Sequence, residues 1–114
     1  MVIENLIKLL QTLCPEIMEQ GSMAKDAPYP ARFFTFWNPN TWDHKHYNNE
    51  THGYVWTMEV NFYSNDPQDV YSTLEAAMRL LKSAGWITTG KGYGVASDHP
   101  THTGRGFTAT FTEL

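Results

Sequence analysis

The sequence predicts an α+β two-layer sandwich, in which two helices pack on one face of a mainly antiparallel sheet of four to five strands. Two amphipathic stretches have helical periodicity, and between them a long segment alternates between apolar and polar residues. The order along the chain is helix, short strand, two strands, helix and two strands. A chain of 114 residues has the size of one domain, which we place at 1–114 with loops at about 21–30, 38–53 and 89–105.

The first helix is predicted over residues 2–13, where apolar residues recur every three or four positions. Pro15 lacks an amide hydrogen and restricts the residue before it, so the helix should end there. Cys14 is the single cysteine and lies beside the apolar stripe, so we expect a buried thiol and no internal disulfide. Residues 16–20 are interpreted as a short strand. The predicted stripe consists of Ile3, Leu6, Ile7, Leu10 and Leu13.

Two strands are predicted in the middle of the chain. Residues 31–38 are rich in aromatic residues of high strand propensity, and Pro39 should end this strand. We expect Trp37 to close the core. Residues 53–64 alternate in polarity, which is typical of a long strand with one buried face. The apolar positions of that strand are Tyr54, Trp56, Met58, Val60 and Phe62.

The second helix begins and ends at recognisable residues. Asp66 suits the N-cap and Pro67 the first helical position, while Gly85 can adopt the left-handed conformation that ends a helix. Two further strands, within residues 85–89 and 105–114, close the chain. The buried stripe of the helix should consist of Val70, Leu74, Ala77 and Leu81, widened by Tyr71 and Met78.

The charge and hydropathy of the chain argue against several classes of function. Eight basic residues stand against twelve acidic ones, for a formal net charge of −4, and the basic residues are scattered along the sequence. Nucleic-acid binding through a basic face is therefore not expected. The first apolar segment carries Glu4 and Lys8, is too short to cross a bilayer and lacks the features of a signal peptide. We expect synthesis in the cytosol and no membrane partner.

A histidine-rich segment, WDHKHYNNETHG at residues 42–53, is the first candidate for a metal site. Zinc binds three or four ligands in a tetrahedral array, and neutral imidazole suits it. The candidate ligands are His44, His46 and His52, with His99 and His102 on a second loop. Their spacing matches no helical metal motif, and the neighbouring Asn and Pro residues are typical of turns. The pattern favours a polar loop, and we expect no bound cofactor.

Catalytic patterns are weaker still. Residues 90–94, GKGYG, contain glycines but not the Lys–Ser/Thr pair that follows a phosphate loop, so they are interpreted as a connection between strands. A Cys14 thiol on the helix stripe is a poor nucleophile, and helix capping explains Asp66 and Asp69. We therefore predict that the protein is not an enzyme and has no catalytic residues.

Aromatic residues near polar loops indicate an interaction surface. Exposed aromatics are enriched where proteins bind other proteins. Trp42 and Tyr47 lie in the predicted loop 38–53, and Arg105 is the only basic residue of the last strand. We expect these three residues to contribute to an interface.

Four segments together resemble a family of small prophage proteins from Gram-positive bacteria. The segments are DAPYPARFFTFWN, THGYVWTMEVNFYSNDP, AGWITTGKGYGVASD and PTHTGRGFTATF. Members are encoded among the structural genes of long-tailed phages and are described as minor tail or tail-completion proteins. The resemblance covers nearly the whole chain and rests on the ordered run of segments, not on a catalytic motif.

The family is similar in fold to tail terminators, α+β subunits that assemble into a six-fold ring. The resemblance implies a virion structural protein whose homo-oligomeric, hexameric ring ends the tail tube and joins it to the head. The implied partners are further copies of the chain, the tail tube protein and head–tail connector proteins, while DNA passes through the lumen without specific binding. The implied location is the bacterial host cytoplasm during assembly and then the virion tail. The alternative function is a small metal-binding module or metalloenzyme that uses His44, His46 and His52.

Overall fold

The computed structural model describes residues 2–20, 29–43, 46–47, 50–51 and 53–113, and within 40–51 it describes the backbone only. Its helices are α1 (Val2–Gln11) and α2 (Pro67–Ser83). Its strands are β1 (Ile17–Glu19), β2 (Arg32–Asp43), β3 (His46–Tyr47), β4 (Glu50–Thr51), β5 (Tyr54–Ser64), β6 (Ile87–Thr88), β7 (Tyr93–Val95) and β8 (Thr103–Glu113). No helix in these ranges is long and apolar enough to cross a membrane.

One sheet joins six of the strands in the order β1–β2–β5–β8–β6, and β7 also pairs with β8. The β1–β2 pair is parallel, while the other pairs in this sheet are antiparallel. The long strands β2, β5 and β8 lie side by side, and at about 3.3 Å per residue each spans roughly 35 Å. The predicted α+β class and mainly antiparallel sheet are confirmed, with six strands in place of four to five.

Both helices pack on one side of the sheet, here called the covered face. Its strand residues are Phe34 and Phe36 of β2, Met58, Val60 and Phe62 of β5, and Phe107 and Ala109 of β8. Leu6 and Leu10 of α1 and Leu74 and Leu81 of α2 are buried against them, as the helical stripes predict. The predicted burial of Cys14 is confirmed, since its side chain is 1% exposed. Tyr71 does not widen the stripe of α2, because 59% of it is exposed.

The ends of α2 follow the sequence signals. Asp66 is the N-cap, and its Oδ1 accepts a hydrogen bond of 3.1 Å from the Gln68 amide. Pro67 occupies the first turn, where its missing amide costs no helical hydrogen bond. Gly85, with φ of +97°, follows the last turn in the left-handed region that favours glycine. These three predictions are confirmed.

Strand β2 continues past Pro39, so the prediction that this proline ends the strand is wrong. The register shifts between Trp37 and Asn40, which places the proline in a β-bulge. On the outer side of β2, β1 pairs only with Phe34, Thr35 and Phe36. Among the described residues, no strand on that side therefore loses a hydrogen bond because Pro39 lacks an amide hydrogen. The predicted loop 38–53 is corrected accordingly, since it contains the end of β2 and the β3–β4 pair. The predicted loop 89–105 likewise contains β7 and the start of β8.

The molecule is elongated. It measures 53 × 29 × 22 Å, and its radius of gyration of 15.2 Å exceeds the value of about 13 Å for a compact domain of this length. The length of the strands sets one dimension of a sheet, and the number and spacing of the strands set the other. Long strands therefore lengthen the fold in one direction only. The shape therefore offers long edges and a broad sheet face for contacts.

Candidate interaction surfaces of the sheet

The second side of the sheet, here called the open face, carries the alternate residues of the same strands. Trp37 of β2 pairs with Glu59 of β5, which in turn pairs with Thr108 of β8. Trp37 is 46% exposed, Glu59 is half-buried and Thr108 is exposed. No helix of the described residues packs here, since the buried residues of both helices belong to the covered face. The prediction that Trp37 closes the core is therefore wrong.

One end of the open face is closed by an aromatic cluster of Tyr29, Phe33, Tyr63, His99 and His102. Phe33 is only 3% exposed although it lies on this face. Its ring stacks on Tyr63 with centroids 5.1 Å apart and meets Tyr29 edge-on at 5.5 Å. Burial raises the pKa of the Tyr63 phenol, and the side chains of Thr35 and Asn61 lower it in part. The cluster forms a small second core on the side that no described helix covers.

The two histidines of this cluster are bound to the protein itself. His102 Nε2 lies 2.8 Å from the Pro30 carbonyl oxygen, which can only accept, so this nitrogen carries the proton. The Thr101 hydroxyl oxygen lies 2.9 Å from His102 Nδ1 and 2.6 Å from His99 Nδ1, so it connects the two rings. Both ring nitrogens of His102 therefore already have partners within the chain. Within the described ranges, no group of three or more His, Cys, Asp or Glu side chains could hold a metal ion.

The principal metal candidates lie elsewhere. His44 and His52 fall outside the described residues. His46 begins β3 and pairs with Thr51, but its side chain is outside the described part. The metal alternative therefore stays a prediction, restricted to these three histidines and without the support of His102.

Two glycines of β8 allow side chains of β5 to lie across the open face. A methyl group on Gly106 would overlap the Asn61 side-chain oxygen and approach the Val60 carbonyl oxygen to 3.0 Å. A methyl group on Gly104 would come within 2.6 Å of the Tyr63 ring. Asn61 is consequently 7% exposed, and its Oδ1 is buried with no hydrogen-bond partner among the described residues. Asn61 is thus buried although it lies on the polar side of the alternating strand, because the absence of a side chain on Gly106 leaves room for it against β8.

The three predicted interface residues occupy different places. Trp42 of β2 pairs with Val55 and Tyr47 of β3 pairs with Glu50, but neither side chain is among the described parts. Arg105 pairs with Phe62 and lies at the margin of the covered face. Its guanidinium carbon is 4.7 Å from the centroid of the Tyr71 ring, a cation–π distance. The charge of Arg105 thus contacts the chain's own helix, and its role at an interface stays a prediction.

Beside Arg105 lies a surface depression of about 290 Å³, here called the basic groove. Its side-chain walls are Tyr71, Glu75, Met78, Arg79 and Lys82 of α2 and Lys91 of the β6–β7 turn. Glu75, the one carboxylate of these walls, already accepts a 2.8 Å hydrogen bond from Arg79. The groove therefore presents positive charge and an exposed aromatic ring. Sequence reasoning missed it because its basic residues and the adjoining Arg105 are spread over three separate segments.

A second charged group fixes the fold where three elements meet. Arg32 at the start of β2 donates to both carboxylate oxygens of Asp69, at 2.9 and 3.1 Å, and to the Leu13 carbonyl oxygen at 3.3 Å. Thr73 donates to the same carboxylate at 2.8 Å. Burial alone would raise the pKa of Asp69, but hydrogen bonds from Arg32, Thr73 and Ser64 hold it below its usual value. This ion pair links the turn after α1 to β2 and α2 and is structural in character.

No protein-family model matches the chain, and no curated protein matches it.

Proposed function

We propose that the protein is a virion structural subunit of a long-tailed bacteriophage or prophage. Copies of the chain form a hexameric ring that terminates the tail tube and joins it to the head. The observation that carries this proposal is the open face, a side of the sheet about 35 Å long that the described helices do not cover and that the aromatic cluster closes at one end. A subunit that acts by assembly needs such a surface, whereas an enzyme needs a concave site with convergent polar groups.

The composition of the open face supports contact with other protein subunits. It combines the exposed ring of Trp37 with the half-buried Glu59 and the threonines of β8. Interfaces are enriched in such aromatic anchors, and a polar surround keeps the free subunit soluble. The elongated outline, 53 Å in its longest dimension, suits a subunit that contacts a ring neighbour and a tube protein at once.

The ring has a mechanical role in this proposal. Identical subunits in a closed ring use two different surfaces each, and closure by rotation stops further growth. The partners are further copies of the chain, the tail tube protein and the head–tail connector proteins. DNA passes through the lumen, and the net charge of −4 disfavours its adhesion to the wall.

Native mass spectrometry of the untagged chain over a concentration series tests this function directly. We expect a metal-free species of about six subunits, whose share grows with concentration. The same spectra report bound zinc. A monomer that carries one stoichiometric zinc ion would contradict the ring and support the alternative of a metal-binding module.

Replacement of both Trp42 and Tyr47 by alanine tests the predicted interface residues. We expect the double variant to fold with unchanged circular dichroism and to assemble at higher concentration than the parent. Tyr54→Ala is a suitable control, because it also removes an exposed aromatic ring, and Tyr54 is 45% exposed. Trp42 pairs with Val55, and Tyr54, as the residue before Val55, lies on the opposite side of the sheet from Val55. An unfolded double variant would assign both aromatics to the core instead.

A further inference from the structure

We propose that the open face of one copy docks on the basic groove of a second copy, with Glu59 of the first placed against the cations of the second. Neighbouring subunits then associate head to tail. The inference rests on the ring proposed above and deepens it, because it names the two surfaces that meet between subunits and the charges that pair there.

Glu59 is the only charged residue among the described strand residues of the open face. It lies on the middle strand, between Trp37 of β2 and Thr108 of β8, and its side chain is half-buried. Its carboxylate has no hydrogen bond or ion pair within the described part of the chain. A partner that covers this face removes the carboxylate from water, which is costly unless the partner supplies a cation. The face therefore selects a positively charged surface.

The basic groove is where the chain concentrates its positive charge. Of its eight Lys and Arg residues, Arg79, Lys82 and Lys91 line the groove and Arg105 adjoins it, although the net charge of the chain is −4. Arg79 is engaged with Glu75, and Arg105 lies over an aromatic ring of α2. The ammonium groups of Lys82 and Lys91 have no such partner among the described residues. They are available to neutralise a carboxylate from another copy.

The groove is also preformed. Arg105 lies over the Tyr71 ring, and its Nη2 donates to the Lys91 carbonyl oxygen at 3.4 Å, so it connects the helix wall to the turn wall. The turn packs tightly against the helix, because a methyl group on Gly92 would approach Leu74 to 2.7 Å. A surface held in this way loses little conformational entropy when a partner binds.

Exposed apolar side chains gather on the same two surfaces. Five large apolar side chains are exposed in the described part of the chain, and four of them lie here. Trp37, Ile87 and Tyr93 are on the open face, where the last two lie opposite open-face residues of β8. Tyr71, 59% exposed, lines the groove. Aromatic side chains of this kind anchor interfaces, and contact between the two surfaces buries both sets at once.

The positions of the two surfaces require two copies. Since α2 packs on the covered face, the groove and Glu59 lie on opposite sides of the sheet. Glu59 of one chain therefore cannot reach the groove of the same chain. Two unlike surfaces on opposite sides of a subunit generate a heterologous contact, and repetition of that contact gives a closed ring or an open filament.

Complementary charge reversals test the pairing. One variant carries Glu59→Lys, which reverses the open face; the other carries Lys82→Glu and Lys91→Glu, which reverses the groove. Each variant alone places like charges against each other, so we expect the concentration at half-assembly to rise roughly tenfold or more. Mixed in equal amounts, the two variants should recover assembly, because every contact between unlike subunits again joins opposite charges. Native mass spectrometry should then detect species with equal numbers of both variants.

Two further variants serve as controls. Glu59→Gln keeps the shape of the side chain and removes only its charge, so it should fold like the parent and weaken assembly less than Glu59→Lys does. Glu4→Lys changes the net charge by as much as Glu59→Lys, at an exposed position of α1 outside both surfaces, and should leave assembly near the parent level. Circular dichroism verifies that every variant folds.

The outcomes separate this inference from the proposed function. If the parent forms rings and both reversals assemble equally well, the pairing is wrong and the ring stands. If each reversal blocks assembly but the mixture does not recover it, the pairing is also wrong. If Glu59→Lys does not fold, Glu59→Gln decides, and assembly at the parent concentration then overturns the pairing. If the parent stays monomeric at every concentration and at low salt, the proposed function and the pairing fall together.

Discussion

The two faces of the sheet are built from the same three long strands and differ in what closes them. On the covered face, Phe34 and Phe62 are completely buried, and their rings lie 4.7 Å apart beneath the helices. On the open face, Phe33 is buried by an aromatic cluster, whereas Trp37, four residues later, is 46% exposed. Burial of apolar side chains by helices stabilises the fold, while the exposed remainder of the open face is free for other contacts. Stability and assembly should therefore be separable by mutation.

The largest effect is expected on the covered face, with Phe62→Ala. Phe62 contacts the Phe34 ring, lies under the Arg32 guanidinium at 5.3 Å and has no exposed surface. Truncation of a fully buried phenylalanine removes transfer free energy and leaves a cavity, so we expect a loss of about 3–5 kcal/mol of unfolding free energy. Urea denaturation measures it. Thr108→Ala, at an exposed open-face position, should change the value by less than about 0.5 kcal/mol. Equal effects of the two substitutions would contradict the division between the faces.

A smaller effect is expected where the open face is itself tightly packed, at Gly106. Gly106→Ala should cost about 1–3 kcal/mol, because the new methyl group overlaps the Asn61 side chain and also crowds the Val60 carbonyl oxygen. Asn61→Ala removes the overlapping oxygen, so the double variant should lose less than the sum of the two single losses. A double-mutant cycle of unfolding free energies measures this coupling. Strict additivity would mean that Asn61 does not lie against this strand.

The Arg32–Asp69 ion pair at the margin of the covered face should contribute less to the unfolding free energy than the packing at Gly106. Asp69→Asn weakens the hydrogen bonds to Arg32, and we expect a loss of about 1–2 kcal/mol, since 39% of the Arg32 side chain is in solvent. Glu75→Gln is the matched control, because the Glu75–Arg79 pair is about three-quarters exposed and should change stability by less than about 0.5 kcal/mol. Chemical denaturation at neutral pH measures the unfolding free energies of Asp69→Asn and Glu75→Gln relative to the parent.

The same pair predicts a pH dependence with a defined sign. Because the pKa of Asp69 is lower in the folded chain than its ordinary value of 3.8, the carboxylate stabilises the fold above about pH 4. That contribution disappears as the pH falls through the lowered pKa of the folded state. The gap in unfolding free energy between the parent and Asp69→Asn should be constant from about pH 8 to 5 and should narrow below about pH 4. A gap that widened on acidification would contradict the direction of the shift.

Periodicity and capping chemistry predicted the covered face well, because they are local properties of the chain. Alternation along residues 53–64 identified the buried Met58, Val60 and Phe62, and the N-cap Asp66 placed the start of α2. The segment RFFTFW carries aromatic residues on both faces, so alternation alone could not determine which face the helices would cover. Trp37 was consequently assigned to the wrong side.

The remaining features depend on contacts between residues far apart in the sequence. His102 finds its partner at Pro30, 72 residues away, and no local pattern reveals that bond. Pro39 was expected to end a strand because its missing amide usually interrupts a ladder, but a bulge on the outer side of the sheet tolerates it. The basic groove likewise forms only when α2, the β6–β7 turn and β8 come together.

The smallest change in stability and the clearest change in assembly are expected at Trp37. Trp37→Ala removes a ring that is 46% exposed, so the unfolding free energy should change by less than about 1 kcal/mol. An exposed tryptophan at the centre of an interface can contribute 2 kcal/mol or more to binding, which corresponds to roughly a 30-fold rise in the concentration at half-assembly. Phe33→Ala is the matched control, since Phe33 lies on the same strand and face but is 3% exposed and should mainly lower stability. Denaturation and native mass spectrometry of both variants measure the two properties. If Trp37→Ala destabilises the chain as much as Phe33→Ala and assembles like the parent, the exposed part of the open face is not a binding surface.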